Sequence, residues 1–311
     1  MDPLSDALHA VRSRNGVLHR SQLRTPFGLL VDESCPLTVL LVTEGEAWIQ
    51  LEGADPMPLA RGVVHLVATS GPYRVLDRPG SPVRLLVKDQ TVRTVDGAEL
   101  PRAVDDLQCL VEEAEDEGAA RTVLISGDYT VTPGIGRRLI EALPAVAAVA
   151  LPDVAPLVGL LEAELDRSAA GRQPVLDRWL DLLLTAALRS WFEDAQTGPA
   201  WCGAMADPQL GAALRALHAD PSDRWSVERL AQRSGMSRSA FAERFTAVLG
   251  VAPMTYLAEL RMDLATDQLL SGSAPLTRIA RDVGYANPYG FSAAYKRIRG
   301  RSPAQVRAGA A

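Results

Sequence analysis

The sequence predicts a mixed α+β chain in two parts, a β-rich first portion completed by helices and an all-helical last third. Three observations carry that expectation. Short apolar runs follow one another closely up to about residue 95, apolar residues recur at three and four from Ala155 onward, and the end of the chain contains one unit twice. The 311 residues also suit two domains of the usual size, roughly 100 to 200 residues each.

The first runs are "GVLHRSQL", "LTVLLVT", "EAWIQLEG", "VVHLVA", "YRVLD" and "PVRLLVKD", with Gly53, Gly62, Gly71 and Gly80 in the intervals. Several alternate in polarity, the pattern of antiparallel strands in a small barrel or sandwich. Next, Val104, Leu107, Leu110, Val111 and Ala114 have helical spacing and stop at Gly118, so a helix with an acidic outer face is expected there. "RTVLISGDYTV" then reads as another strand. The run from Ala142 to Leu161 has bilayer length, but Pro144, Pro152, Asp153 and Pro156 interrupt any spanning helix. It is expected to join domains.

Leu157, Leu160, Leu161 and Leu165 predict one helix after it. A second, from about Pro174 to Ala195, carries Leu176, Trp179, Leu180, Leu183, Leu184, Ala187, Leu188, Trp191 and Phe192. So wide an apolar stripe completes the core of the β-rich part, supplies a dimer seam, or does both.

Composition narrows the classes of function. With 47% hydrophobic and 23% charged residues the chain is an ordinary globular one. The start, "MDPLSDALHAVRSRNG", lacks the apolar stretch of a signal peptide, so a cytoplasmic location without a membrane segment is expected. Cys35, Cys109 and Cys202 are odd in number and lack a CxxC pair, which favours free thiols, with a redox-sensing pair as the alternative. His9, His19, His65 and His218 show no ligand spacing; neither a metal nor a cofactor is expected.

Charge divides the chain sharply. Residues 1–206 hold 18 Lys+Arg against 29 Asp+Glu, and residues 207–311 hold 14 against 9. The overall net charge of −6 therefore hides a basic C-terminal third, a pointer toward nucleic acid.

That third is internally repeated. "LAQRSGMSRSAFAERFTAVLGVAP" aligns with "IARDVGYANPYGFSAAYKRIRGRSP": Ala231 with Ala280 and Gly235 with Gly284, then Phe241 with Phe291, Phe245 with Tyr295, Gly250 with Gly300 and Pro253 with Pro303. The unit is two short helices around a glycine turn, a helix-turn-helix whose second helix suits the DNA major groove. Ser226 and Ser237 are positioned to cap the helices of the first copy. Pro288 fits the first turn of the second recognition helix. In the first copy the outer face would carry Ser237, Arg238, Ser239, Ala242, Glu243 and, flanking, Arg244. In the second it would carry Asn287, Tyr289, Ser292, Ala293 and Lys296, followed by Arg297, Arg299 and Arg301. Between the copies, Leu257, Leu260, Leu264 and Leu269 or Leu270 predict a connecting helix.

Together "LA..SGMS...F...F...LG..P..YL...R...A...L" and "IA.DVGY.N...F...YKR..G.SP" resemble the DNA-binding domain of the arabinose-regulator (AraC/XylS) family of transcription factors. The N-terminal part resembles, more loosely, the cupin-like barrel that precedes this domain in one branch of the family, around "MDPLSDAL" and "EGEAWIQLEG". The resemblance implies a cupin-like effector domain over 1–145, helical linker and dimerisation elements over 146–200, and a DNA-binding domain over 207–311 with helix-turn-helix motifs at 226–249 and 275–299. It implies a one-component regulator that binds double-stranded promoter DNA, responds to a small effector, works as a homodimer and, as an activator, meets RNA polymerase. Where related cupins carry metal ligands this chain has Val63 and Tyr73, which disfavours a cupin-type enzyme. An oxidant sensor working through Cys35 or Cys109 is the other alternative. By the resemblance, Ser239, Ala242 and Glu243 in the first motif and Pro288, Tyr289 and Ala293 in the second occupy base-reading positions. Serine can contact any base, alanine a thymine methyl and glutamate a cytosine amine.

Overall fold

A computed structural model of the chain describes residues 18–308 apart from 34, 70, 89–90, 98–107, 112–120, 130, 132–133, 152–153, 166, 168–169, 194–203, 206 and 273. The described residues form two compact units, one within 12–130 and 143–191 and the other within 131–142 and 192–311.

The first unit holds twelve strands among its described residues: β1 (Leu18–Arg24), β2 (Gly28–Val31), β3 (Leu37–Glu44), β4 (Ala47–Leu51), β5 (Met57–Leu59), β6 (Val63–Val67), β7 (Tyr73–Leu76), β8 (Leu85–Lys88), β9 (Thr91–Thr94), β10 (Gln108–Val111), β11 (Arg121–Tyr129) and β12 (Val146–Ala150). They make two six-stranded sheets, in the orders β10-β1-β11-β3-β6-β12 and β5-β4-β7-β2-β8-β9. Pairing is antiparallel except at β1/β10 and β2/β8. Leu23, Leu40, Val42 and Leu124 of the first sheet share one core with Leu29, Ile49, Tyr73 and Val75 of the second. The expected sandwich is there.

Two expectations change. Gln108–Val111 is a strand, not part of a helix: it pairs with Arg20–Leu23 of β1. A free sheet edge satisfies four residues of backbone at once, and that outweighs a helical spacing of apolar side chains. The run read as a joining segment contains β12, which pairs with β6 from Val146↔Val67 to Ala150↔Val63. Val146 and Val149 have the β-branched side chains that strands favour, and alternate burial of Ala147 and Val149 marks its inward face.

The helices expected after it are α2 (Val154–Leu165) and α3 (Arg172–Glu193), preceded in the chain by α1 (Ile135–Glu141). β3 is buried on both faces over its first six residues, because α3 lies on the side of its sheet away from the sandwich. There Tyr129 Oη donates to Leu180 O at 2.9 Å. At Gly127 an added Cβ would lie 2.8 Å from the Leu180 side chain, so glycine sets the close approach of helix and strand.

Polar groups are few inside the sandwich and each has a consequence. Thr38 Oγ1 donates to Asp128 Oδ1 at 2.7 Å, and burial raises the Asp128 carboxyl. Val63 opens β6 half-buried and Tyr73 opens β7 buried, its phenol raised first by burial and then by Asp128. His65 is 1% exposed, its Nδ1 has no partner, and burial lowers its pKa.

The second unit contains α4 (Leu210–Ala219), α5 (Val227–Arg233), α6 (Arg238–Leu249), α7 (Pro253–Ser271), α8 (Leu276–Asp282), α9 (Pro288–Arg299) and α10 (Pro303–Ala308). Among the described residues no helix is long and apolar enough to cross a membrane.

Leu180→Ala is expected to destabilise the sandwich unit by about 2–5 kcal/mol and Tyr129→Phe by about 1 kcal/mol, read as shifts of its urea transition. The neutral, buried His65 makes a second prediction. Because its folded pKa lies below the ordinary 6.5, its contribution is complete above pH 6.5 and lost as pH falls from there. Asp128, raised, acts in the opposite sense, with its contribution complete only below 3.8. Thermal melts between pH 7 and 5 should therefore show stability falling in the wild type and a flatter profile in His65→Leu.

Candidate nucleic-acid interface

Each recognition helix is started by a polar side chain and stopped by a left-handed glycine. Ser237 Oγ accepts from Ala240 N at 3.3 Å to begin α6, and Asn287 Oδ1 accepts from Gly290 N at 2.8 Å to begin α9. Gly250 and Gly300 end them, both at φ 74°. A residue with a Cβ would be strained at these positions.

The cores are equally parallel. Phe241 and Phe245 stack with Tyr256 in the first motif at ring separations of 5.5 and 5.7 Å, and Tyr285, Phe291 and Tyr295 stack in the second at 5.8 and 5.7 Å. Phe241, Phe245, Phe291 and Tyr295 are buried in two separate clusters. With those four facing in, the opposite faces of α6 and α9 must face out.

Those faces hold the expected set. Ser237, Arg238, Ser239, Glu243 and Arg244 are exposed and Ala242 half-buried on the first; Asn287, Tyr289, Ala293, Lys296 and Arg297 are exposed and Ser292 half-buried on the second. Tyr289 is 85% exposed, far above any other large apolar side chain described. Pro288 is half-buried at the first turn. By the fifty-residue offset, Ser239, Ala242, Glu243 and Thr246 superpose in sequence on Tyr289, Ser292, Ala293 and Lys296. Thr246, also exposed, was not singled out from the sequence, although the offset that matches Phe241 to Phe291 also matches it to Lys296.

The basic side chains are not equivalent. Arg238 Nε pairs with Glu228 Oε1 at 2.9 Å, with both side chains open to solvent. Such an exposed pair is worth about 0–1 kcal/mol, so a phosphate or base can displace it. Arg244 is tied at 2.6 Å to Asp207, whose Oδ1 also accepts the backbone N–H groups of Gln209 and Leu210. The Leu210 N–H first, Arg244 next and the Gln209 N–H after them hold the Asp207 carboxyl below its usual range. Arg299 turns inward onto Asp263 and the Glu259 carbonyl of α7. Among the described residues Lys296 and Arg297 have no ion-pair partner, so their charge faces solvent.

The N-terminal part has its own chemistry. Cys35 Sγ lies 3.2 Å from Tyr129 O and 3.3 Å from Leu37 O. Burial, with the Asp128 carboxylate second, pushes its thiol up to about 11. At neutral pH it is almost wholly protonated and a poor nucleophile. The side chains of Cys109 and Cys202 lie outside the described residues, as does residue His9.

Residues 2–193 match the family model described as Cupin, and residues 230–309 match that of a helix-turn-helix domain. An AraC-like transcription regulator of Streptomyces antibioticus is 30% identical over 316 residues, covering 99% of this chain and 98% of its own. Another, from Streptomyces lividans, is 28% identical with the same coverage. The HTH-type transcriptional regulator AlkR of Acinetobacter baylyi is 33% identical over 180 residues, covering 56% of this chain and 59% of its own. Matched over nearly its whole length by such relatives, the chain belongs to the AraC-like transcription regulators, a DNA-binding family, with a cupin domain at its N-terminus.

Proposed function

We propose that this regulator binds its promoter through both motifs at once, with Ser239, Ala242, Glu243 and Thr246 of α6 and Tyr289, Ser292, Ala293 and Lys296 of α9 facing the bases. The observation that carries this is the repetition of one exposed stripe on two helices built alike around buried aromatics. Arg238 and Lys296 are the principal cationic contacts. Arg297 reaches phosphate, and Ser237 and Asn287 hold the helix starts against the DNA backbone while they cap. Arg244, engaged by Asp207, braces α6 against α4 and contributes to DNA binding through that bond.

The protein acts in the cytoplasm as a one-component regulator rather than an enzyme, and its cupin domain takes a small effector. The boundary expected at 145/146 falls against β12, which is part of the sheet. We place the break after α3, leaving 207–311 as the reader. An oxidant sensor draws no support from Cys35, whose thiol is protonated at neutral pH.

The seam for a homodimer lies on the outer side of α3. Val175 and Leu182 are 40% and 47% exposed, Trp179 and Ala186 are half-buried, and the four recur at helical spacing opposite the stripe that covers the sheet. Leu160 of α2, 53% exposed, extends the apolar surface. An activator would meet RNA polymerase from this dimer on the DNA.

Arg238→Ala and Lys296→Ala are each expected to weaken binding to the cognate promoter by roughly 1–3 kcal/mol in gel shifts at physiological salt if they read bases, and to weaken all sequences alike if they touch phosphate only. Tyr289→Ala should lower cognate affinity while changing stability by less than about 0.5 kcal/mol, since its side chain is 85% exposed. Leu182→Glu with Leu160→Glu should raise the dimer dissociation constant by at least about tenfold in sedimentation, ~1.4 kcal/mol. An unchanged dimer would remove the seam from α3.

A further inference from the structure

The turn of the second motif touches the loop that leads into the first, and one side chain is common to both. A Cβ at Gly284, in the turn of the second motif, would lie 2.5 Å from the Ser222 carbonyl oxygen, in the loop that precedes the first motif. It would also lie 2.8 Å from an Arg261 nitrogen. Only glycine lets loop and turn approach so closely, and its φ of +78° is one that glycine adopts without strain.

Arg261 occupies the seam. It lies on α7 between Leu257, which fills the first core, and Met262 and Ala265, which fill the second. Its Nε donates to Pro221 O at 2.7 Å and its Nη2 to Asp223 O at 2.9 Å. Its guanidinium carbon stands 5.9 Å from the centre of the Tyr285 ring. Both acceptors belong to the loop that leads into the first motif and the ring belongs to the second motif's turn.

From each end the connection continues to a helix of the reader. Asp223 takes a two-pronged bond from Arg229 of α5, at 2.8 and 3.2 Å. Tyr285 packs edge-on against Phe291 of α9. A planar guanidinium can direct two N–H groups at carbonyls while a ring covers its face; an ammonium cannot.

We propose that Arg261 is a positioning residue that fixes the separation and rotation of the two recognition helices, so that the target is read as one rigid composite site. It touches no DNA itself. The inference rests on the reading that both motifs bind DNA. Its consequence is selectivity for spacing: one added base pair turns the second half of a site by about a tenth of a turn relative to the first, which a rigid reader cannot follow.

The experiment uses the full-length protein and a sequence that it selects from random DNA, remade with one or two base pairs inserted or deleted between the two protected segments. The wild type should lose at least about tenfold in affinity for each single-base-pair change, in line with the usual cost of one wrong position. Arg261→Ala should flatten the series to within about threefold, with its best affinity reduced and both segments still protected in footprints. Arg261→Lys is the milder variant, read in the same way should Arg261→Ala fail to fold, and it should follow alanine rather than the wild type. A uniform loss at every spacing, with the wild-type optimum kept, would overturn the role of Arg261 and leave the two-motif reading intact. A wild type that protects one segment only and ignores spacing would overturn the two-motif reading itself.

Discussion

One helix, α7, fills two hydrophobic cores, and the geometry of the DNA-binding unit follows from that constraint. Leu257 packs with Phe241 and Phe245, whereas Met262, Ala265 and Leu269 pack with Phe291 and Tyr295. At 1.5 Å per residue its 19 residues span about 28 Å, slightly less than the 34 Å repeat of the major groove. A rod shared in this way cannot rotate toward one motif without turning away from the other. Burial of a leucine or phenylalanine stabilises by about 1.5–3 kcal/mol, so each end of α7 is held by several such terms.

Directional bonds refine what the apolar contacts hold. Thr266 Oγ1 lies 2.7 Å from Tyr295 Oη and 2.8 Å from Met262 O, and Arg299 reaches Asp263 one turn away along α7. Charges so placed cost desolvation, and apolar residues of the same volume would often stabilise as well. What the polar set adds is direction: it fixes how far α9 is rotated on α7, and hence where Tyr289 and Lys296 point. The first motif has His218 Nε2 at 2.7 Å from Tyr256 Oη in the corresponding region, but its recognition helix is held on α7 chiefly by stacked rings.

Legibility in the sequence followed the strength of local signals. The repeat was readable because glycine at a left-handed turn and an aromatic at every fourth position each have a local cause, and both recur fifty residues on. Long strands such as β3 and β11 were readable for the same reason. The short strands β2, β5, β9 and β12 and the helix α1 were not, because three to seven residues carry too little periodicity to separate them from loop. At Gln108–Val111 the local pattern pointed to a helix while the unpaired edge of β1 called for a strand, and such an edge lies far off in sequence. The residues proposed to contact DNA were legible as an exposed face, since buried Phe291 and Tyr295 dictate which positions are exposed. Their differences were not found: nothing local says that Arg244 meets Asp207, that Arg299 turns inward, or that Arg261 crosses between motifs.

The two faces that result are chemically unlike, and this bears on how one protein reads a composite site. On α6 the outward stripe is Ser239, Ala242, Glu243 and Thr246, small or acidic, with Arg238 paired to Glu228 and Arg244 to Asp207. On α9 it is Tyr289, Ser292, Ala293 and Lys296, with Arg297 beside it, and no ion pair among the described residues offsets those two cations. In the proposed reading phosphate neutralisation would be strongest at the second motif, with Arg238 of the first adding to it once phosphate displaces Glu228, since cations release condensed counterions and a carboxylate does the reverse. In the proposed reading Glu243 facing a groove would be unfavourable against most bases and favourable opposite the exocyclic amine of cytosine, so the first motif would discriminate largely by penalty. A weakly attractive but selective helix is useful only when a second, attractive helix delivers it to the right groove. In the proposed reading α7, shared by both cores, and its polar braces would supply that delivery.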